Sequence, residues 1–290
     1  MTNLEYIWIL LADLMMAVDF SLNKVYQRKC GATPAAGYRF NLLVGLLKTL
    51  IFWGINGFVF EFTAYSAWMA ALMALVCFSY ILLGQQILKV SQVALYTLFL
   101  MLGGMCVPYL WGAVVLHEQL TVFRVLGLIV IAAALILMNL TERPPKKQLL
   151  MCIAVFILNG FCSVISKEHQ ISAKETVSAA GFVMLSGFAS VLFGIIGLLT
   201  ERAKKHPAEL LQGGKGMLAV ALSAAIGGVS YLLQLIGAEK IPATALYPML
   251  SGGSIALSVL TGWLFFREKP NKRLWIGTVF CILGTAMFIF

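Results

Sequence analysis

The chain has 290 residues, 61% apolar and 11% charged, with 21 Lys and Arg against 12 Asp and Glu for a formal net charge of +9. Soluble domains carry about 45–50% apolar and about 25% charged residues, so this composition excludes soluble globular, disordered and disulfide-scaffold classes and puts most of the surface in lipid. At about 20 residues per crossing, the length holds about ten helices and leaves no room for a separate soluble domain.

Apolar runs read against charge and Pro/Gly punctuation predict spans at 5–26, 35–58, 64–88, 91–116, 121–140, 148–167, 177–199, 215–238, 242–266 and 272–290. The first run lacks a basic n-region and a small-residue cleavage site, so it reads as a retained helix and not a signal peptide. Longer connections fall at 27–34, at 141–147 with Pro144-Pro145, and at 201–215. The six cysteines are scattered through apolar runs with no CxxC pair and no His at ligand spacing, which predicts packing residues and no metal site or other cofactor. The positive balance has no tract suited to nucleic acid; anionic lipid headgroups are the expected partner.

The two halves resemble each other. Tyr80, Leu82, Lys89, Ala94, Leu95 and Tyr96 recur 151 positions later as Tyr231, Leu233, Lys240, Ala245, Leu246 and Tyr247. Leu110, Gly112, Glu118 and Gly127 recur 150 later as Leu260, Gly262, Glu268 and Gly277, and Ala35-Ala36-Gly37-Tyr38 recurs as Ala179-Ala180-Gly181-Phe182. Five helices per copy is an odd number, so the second copy enters the membrane from the opposite side. The predicted fold is an all-α polytopic membrane protein, ten transmembrane helices in two inverted five-helix repeats: residues 1–140, a connection at 141–147, and residues 148–290. The odd-numbered connections hold fourteen Lys and Arg and the even-numbered ones four, which puts the odd connections in the cytoplasm and both termini outside.

The repeated signature is Ala-Leu-Tyr opening a Gly-rich helix, a Glu at the helix end, then a Gly-containing helix: Ala94-Leu95-Tyr96 to Glu118 and Gly127, and Ala245-Leu246-Tyr247 to Glu268 and Gly277. It resembles EamA-type members of the drug/metabolite transporter superfamily, along the whole chain. That resemblance implies a multi-pass protein of the cell membrane with a central cavity, lined by the first, third and fourth helices of each half and open to one side at a time. The chain departs from the family pattern in carrying acids in its first span, and in a loop count that places the termini outside where many members have them inside.

Asp13 and Asp19 are the only aspartates, and both lie in the first span, where an ionised carboxylate costs at least about 2.5 kcal/mol. At about 100° per residue Asp19, Asn23 and Tyr26 share one face and Asp13 points elsewhere. If the first two spans form a hairpin, Lys48 lies beside Asp13 as an ion-pair partner, structural or coupling, and Arg39 lies within a turn of Asp19 or reaches the headgroups. Asp19 is the candidate for proton coupling. Tyr80, Gln85, Gln86, Tyr96, Asn159, Tyr231, Gln234 and Tyr247 are the other intramembrane polar groups, and the recurrent tyrosine pairs are expected near-symmetrically about the cavity. Glu118 and Glu268 read as helix caps or partners of Arg124 and Arg267 more readily than as gates.

Enzyme readings lack their residues. No GxSxG serine with an intramembrane His is present, His117, His169 and His206 being predicted in connections, and the two aspartates share one helix instead of facing each other. A channel would show continuous polar stripes on several helices. No GxxxxGK[ST] loop occurs, so direct pumping from ATP would need another subunit. The expected function is alternating-access secondary transport, export or exchange, of a small organic metabolite or drug, with protons as a candidate coupling ion. A carrier of anions of the sugar-phosphate or nucleotide-sugar type is the alternative, and the residues leave monomer or homodimer open.

Overall fold

The computed structural model describes residues 3–31, 33–88, 93–139, 146–203, 216–267 and 269–289. Ten helices form in chain order: α1 (Asn3–Cys30), α2 (Pro34–Ile55), α3 (Ala64–Leu88), α4 (Val93–Val114), α5 (Val122–Asn139), α6 (Lys146–Ile171), α7 (Ala179–Ala203), α8 (Met217–Lys240), α9 (Ala243–Phe266) and α10 (Lys272–Met287). Helices suit this composition because a backbone in hydrocarbon must satisfy its own N–H and C=O groups. Eight of the ten are long and apolar enough to cross a membrane by those two measures alone. Large apolar side chains such as Leu218, Val122 and Phe265 stand exposed on the outer surface, as a lipid-facing shell requires. The chain is an all-helical, multi-pass membrane protein.

Local chemistry sets the helix ends. The connection expected over 27–34 shrinks to a turn: α1 runs to Cys30, Gly31 takes φ +89°, and Thr33 caps α2 by accepting from the Ala36 amide at 3.3 Å, with Pro34 in the first turn. Asn271 caps α10 in the same way, accepting from the Leu274 amide at 2.9 Å. Pro108 and Pro248 lie inside α4 and α9. The sixth helix is longer than expected and continues to Ile171, which carries His169 from a predicted connection, and Lys167 from the predicted helix end, into the folded interior.

Packing follows a two-fold plan. Exchanging each helix with the one five places later turns the α1–α8 contact into α6–α3, α1–α9 into α6–α4, α2–α8 into α7–α3, and α4–α5 into α9–α10, and every one of these contacts is present. The α2–α7, α4–α9 and α5–α10 contacts map onto themselves. Residues repeat the pattern. Gly127 of α5 lies against Gly284 and Phe288, and its mate Gly277 of α10 lies against Ala134 and Met138, the positions 150 residues before those two. The turns after α4 and α9 also match: His117 and Arg267, again 150 apart, both adopt the left-handed conformation at φ 52° and 53°.

This plan corrects the hairpin expectation. α1 packs on α8 and α9 and barely touches α2. α1 and α2, adjacent in sequence, are separated because each packs against the other half.

The seams are held by small residues. A Cβ on Gly103 would collide with the Phe156 backbone of α6, and one on Gly160 would meet Val107 and the Gly103 carbonyl of α4. Gly37, by contrast, has open space around it. Gly103→Val is expected to force α4 off α6 and destabilise the fold by about 1–3 kcal/mol, while Gly37→Ala leaves it within about 1 kcal/mol. Melting in detergent checks both.

Candidate functional site

A cavity of about 280 Å³ opens where α2, α3, α6, α7, α8 and α9 meet, with Lys48, Ser163, Ser166, Tyr231, Gln234 and Tyr247 as its polar lining. It shares Met73, Cys77, Ser186 and Ser190 with an adjoining cavity of about 200 Å³, which reaches Tyr38 and Asn41 near the start of α2 and Tyr80 near the end of α3. The smaller cavity lies between the deep one and the side bearing the odd-numbered connections. Of the helices the resemblance implies, α3, α6, α8 and α9 line this cavity and are joined by α2 and α7, whereas α1 and α4 border a separate cavity of about 390 Å³ with α5, α9 and α10.

Tyr231 and Tyr247 face the deep cavity with their hydroxyls tied to α6. The Tyr231 hydroxyl pairs with Ser166 Oγ at 2.9 Å and contacts Met73 Sδ at 3.2 Å, and the Tyr247 hydroxyl donates to the Ser163 carbonyl at 2.7 Å. Lys48 Nζ sits 5.7 Å from the Tyr231 ring centroid. Gln234 donates to Ser230 Oγ at 3.2 Å and reaches Met16 Sδ at 3.8 Å. Their repeat mates sit elsewhere: Tyr80 lines the outer cavity, and Tyr96 lays its ring over Gly84. The recurrent tyrosines are therefore not symmetric about one cavity.

The first-span acids separate as their helical angles require, but to new partners. Asp19 accepts from Ser223 Oγ and abuts Gly227 of α8, and its charge couples to Lys48. Asp13 is fully buried against Gly253 of α9, and neither of its carboxyl oxygens has a hydrogen-bond partner among the described residues. Asp13 meets Gly253 and not Lys48, and Asp19 is the carboxylate electrostatically coupled to Lys48, because α1 lies on α8. Arg39 keeps Nε buried without a hydrogen-bond partner, and no ion pair joins it to Asp19 among the described residues. Asn23 accepts from Gln27 Nε2 at 2.8 Å, and Tyr26 packs on Phe40 with ring centroids 4.8 Å apart, so neither extends a cavity stripe from Asp19. Asn159 serves a helix seam: it lies on Gly104 and donates to the Leu100 carbonyl of α4 at 2.7 Å. Asp13 on Gly253 holds the corresponding place between α1 and α9.

On the side bearing the even-numbered connections polar contacts tie helix ends together, and sequence reading missed those of Lys167, Glu168 and His169. Lys167, 5% exposed, donates to the carbonyls of Ala238 at 2.7 Å and Ile241 at 2.8 Å, satisfying the free C=O groups at the end of α8. Glu118 accepts from the Ala243 amide at 2.7 Å and from the Thr244 amide and hydroxyl at 2.8 Å each, capping α9 across the chain. The cap reading of Glu118 holds, with Arg124 joining through Thr244 Oγ1 at 3.3 Å; Glu268 lies outside the described residues. Trp111 donates to Glu168 at 2.7 Å, and buried His169 pairs through Nε2 with Ser66 Oγ at 2.8 Å and stacks on Phe182 at 3.8 Å. His169 is thus a helix residue and not a loop residue. The missed signal was helical continuation: adding one turn to the sixth span puts Lys167 and His169 on buried ground.

Residues 146–290, half of the chain, match the EamA-like transporter family. The chain belongs to that family. Its members are transporters, and this chain is a membrane transporter. The spermidine export protein MdtI of Yersinia pseudotuberculosis serotype I (strain IP32953) is 26% identical over 102 residues, covering 34% of this chain and 92% of that protein. The protein of the same description from Enterobacter sp. (strain 638) is 32% identical over 72 residues, covering 25% of this chain and 62% of its own. A solved crystal structure superposes with a TM-score of 0.76 over 97% of this chain and 98% of that chain at 17% identity, which establishes a shared fold.

Glu118→Ala is expected to uncap α9, at a cost of about 0.5–2 kcal/mol, and to speed hydrogen exchange at Ala243 and Thr244; exchange mass spectrometry checks it. Glu61, in the connection before α3, caps α7 through the Ser178 amide at 2.7 Å. Burial pushes its carboxyl up, but hydrogen bonds from Ser178 and Asn56 outweigh that and hold it below the ordinary glutamate value. Its contribution is therefore present above the unfolded-state value and lost as pH falls through the folded one. The Ser178 amide should exchange faster once pH drops below the ordinary carboxylate range, and Glu61→Gln should remove that dependence.

Proposed function

We propose that this chain is an alternating-access exporter of a small organic solute carrying both a cationic and an anionic group, and that residues 1–140 and 148–290 are the two halves that exchange conformations. The observation that carries this reading is the Lys48–Tyr231 wall of the 280 Å³ cavity with Asp19 coupled behind Lys48. A zwitterion satisfies both charges at once: its acidic group takes Lys48 and its amino group takes Asp19. A proton competes with that amino group for Asp19, and competition for one carboxylate couples inward proton movement to outward cargo movement. The closed side, built on Glu118 and Lys167, and the path toward the odd-numbered connections fit a state open to the cytoplasm under the positive-inside count.

A second reading, a polycation such as spermidine, is favoured by the similarity to the spermidine export proteins. Lys48 on the wall weighs against it through like-charge repulsion.

Ligand-dependent melting with zwitterionic amino acids, spermidine and sugar phosphates separates these readings. Stabilisation by a zwitterion, weakened at least about tenfold by Asp19→Asn and by Lys48→Met, is expected, since an unpaired charge is left in each variant. Stabilisation by spermidine that survives Lys48→Met would favour the polycation. A sugar phosphate acting equally on wild type and Asp19→Asn would make the protein an anion carrier. In proteoliposomes the stabilising solute should be driven by a pH gradient in wild type and not in Asp19→Asn; equal driving in both would remove the proton from the mechanism.

A further inference from the structure

Two thiols from different halves of the chain meet on the cavity wall: Cys77 Sγ of α3 and Cys162 Sγ of α6 are 3.1 Å apart. α3 and α6 run antiparallel, so successive levels of their seam pair Ser66 with His169, Met73 with Ser166, and Cys77 with Cys162. Met73 and Cys77 are four residues apart and lie on one face of α3. All three sulphurs line the same cavity, and the transport reading uses none of them.

We propose that Cys77 and Cys162, with Met73 as a neighbouring thioether, form a binding site inside the cavity for a soft monovalent d10 metal ion of the Cu(I) and Ag(I) class. Donor softness points to this class, because thiolate and thioether ligands select Cu(I) over the harder cations. Donor number does too. A structural zinc site needs four N or S ligands, and the described residues contain no cluster of three His, Cys, Asp or Glu. Two thiols and a thioether suit an ion content with low coordination. Charge is matched as well: two thiolates around a monovalent ion leave one negative charge, and the Lys48 ammonium, electrostatically coupled to Cys77, offsets it.

Binding is an exchange of protons for metal without redox change. Two S–H bonds break, two S–metal bonds form, and both protons leave through the cavity to water. With metal–sulphur bonds of about 2.3 Å the sulphurs must part slightly, which rotation about the cysteine χ1 angles allows. A bound ion would tie α3 to α6 and fill the space that a solute needs.

The test counts metal and not transport, so it stands or falls apart from the transport reading. Full-length protein with thiols kept reduced is titrated with silver nitrate in chloride-free buffer, reading metal per chain and the near-ultraviolet thiolate-to-metal absorption. The expected result is one silver ion per chain, with affinity lowered at least about tenfold in Cys77→Ser and in Cys162→Ser and less in Met73→Leu. Should a serine variant melt below the wild type, the corresponding alanine variant is read in its place. Undiminished binding in both cysteine variants would assign the silver to Cys30, Cys106, Cys152 or Cys281 and overturn the site, as would wild-type protein with both thiols alkylatable that binds no silver.

Discussion

Within a bilayer the hydrophobic effect gives one helix no reason to adhere to another, so this protein depends on how closely its helices can approach. Small residues supply that approach. Gly103 and Gly160 let α4 and α6 touch backbone to backbone, Gly45 and Gly187 do so for α2 and α7, and Gly127, Gly277 and Gly284 for α5 and α10. Every one of these seams except α4–α6 maps onto itself under the two-fold exchange, and α4–α6 maps onto α9–α1. The close contacts therefore run between the two halves, and the cavity is the space left where the seams diverge.

The exchange is followed by the frame and broken by the polar groups. Left-handed turns at His117 and Arg267, and the reciprocal glycine contacts of α5 and α10, are nearly interchangeable. Tyr231 and Tyr247 bind α6 at the cavity floor, while Tyr80 and Tyr96 take different surroundings. The charged groups on the side of the even-numbered connections meet helix ends: Glu118 meets the free amides of α9 and Lys167 the free carbonyls of α8. Charge is placed where the helix termini already carry unmet hydrogen-bonding capacity, so its desolvation is offset.

The number, order and approximate ends of the helices were legible because apolar length and Pro/Gly punctuation act locally. Lys, Glu and Tyr recur in one order in the two halves, and the helix contacts follow the same five-helix exchange. What failed was long-range. Asp13 reads as the partner of Lys48 only if sequence neighbours are spatial neighbours, and the inter-half packing sets Asp13 against Gly253 and leaves Asp19 as the acid electrostatically coupled to Lys48. Lys167 and His169 were lost to a helix end misjudged by one turn, since charged and aromatic side chains read as loop when they are tucked against a neighbour's terminus. Cys77 and Cys162 lie 85 positions apart with no spacing pattern to join them. Among the candidate residues, Tyr231, Gln234, Tyr247 and Lys48 reach the deep cavity, Tyr80 reaches its outer extension, and Asn23 and Asn159 serve local or seam contacts.

The seam between α4 and α6 holds Asn159, and the matching seam between α9 and α1 holds Asp13. The two side chains have nearly the same shape, yet an amide has no proton to surrender and a carboxyl does. The matching joints thus carry different chemistry: one is tied by an amide that donates to a neighbouring carbonyl, and the other buries a carboxyl with no hydrogen-bond partner among the described residues.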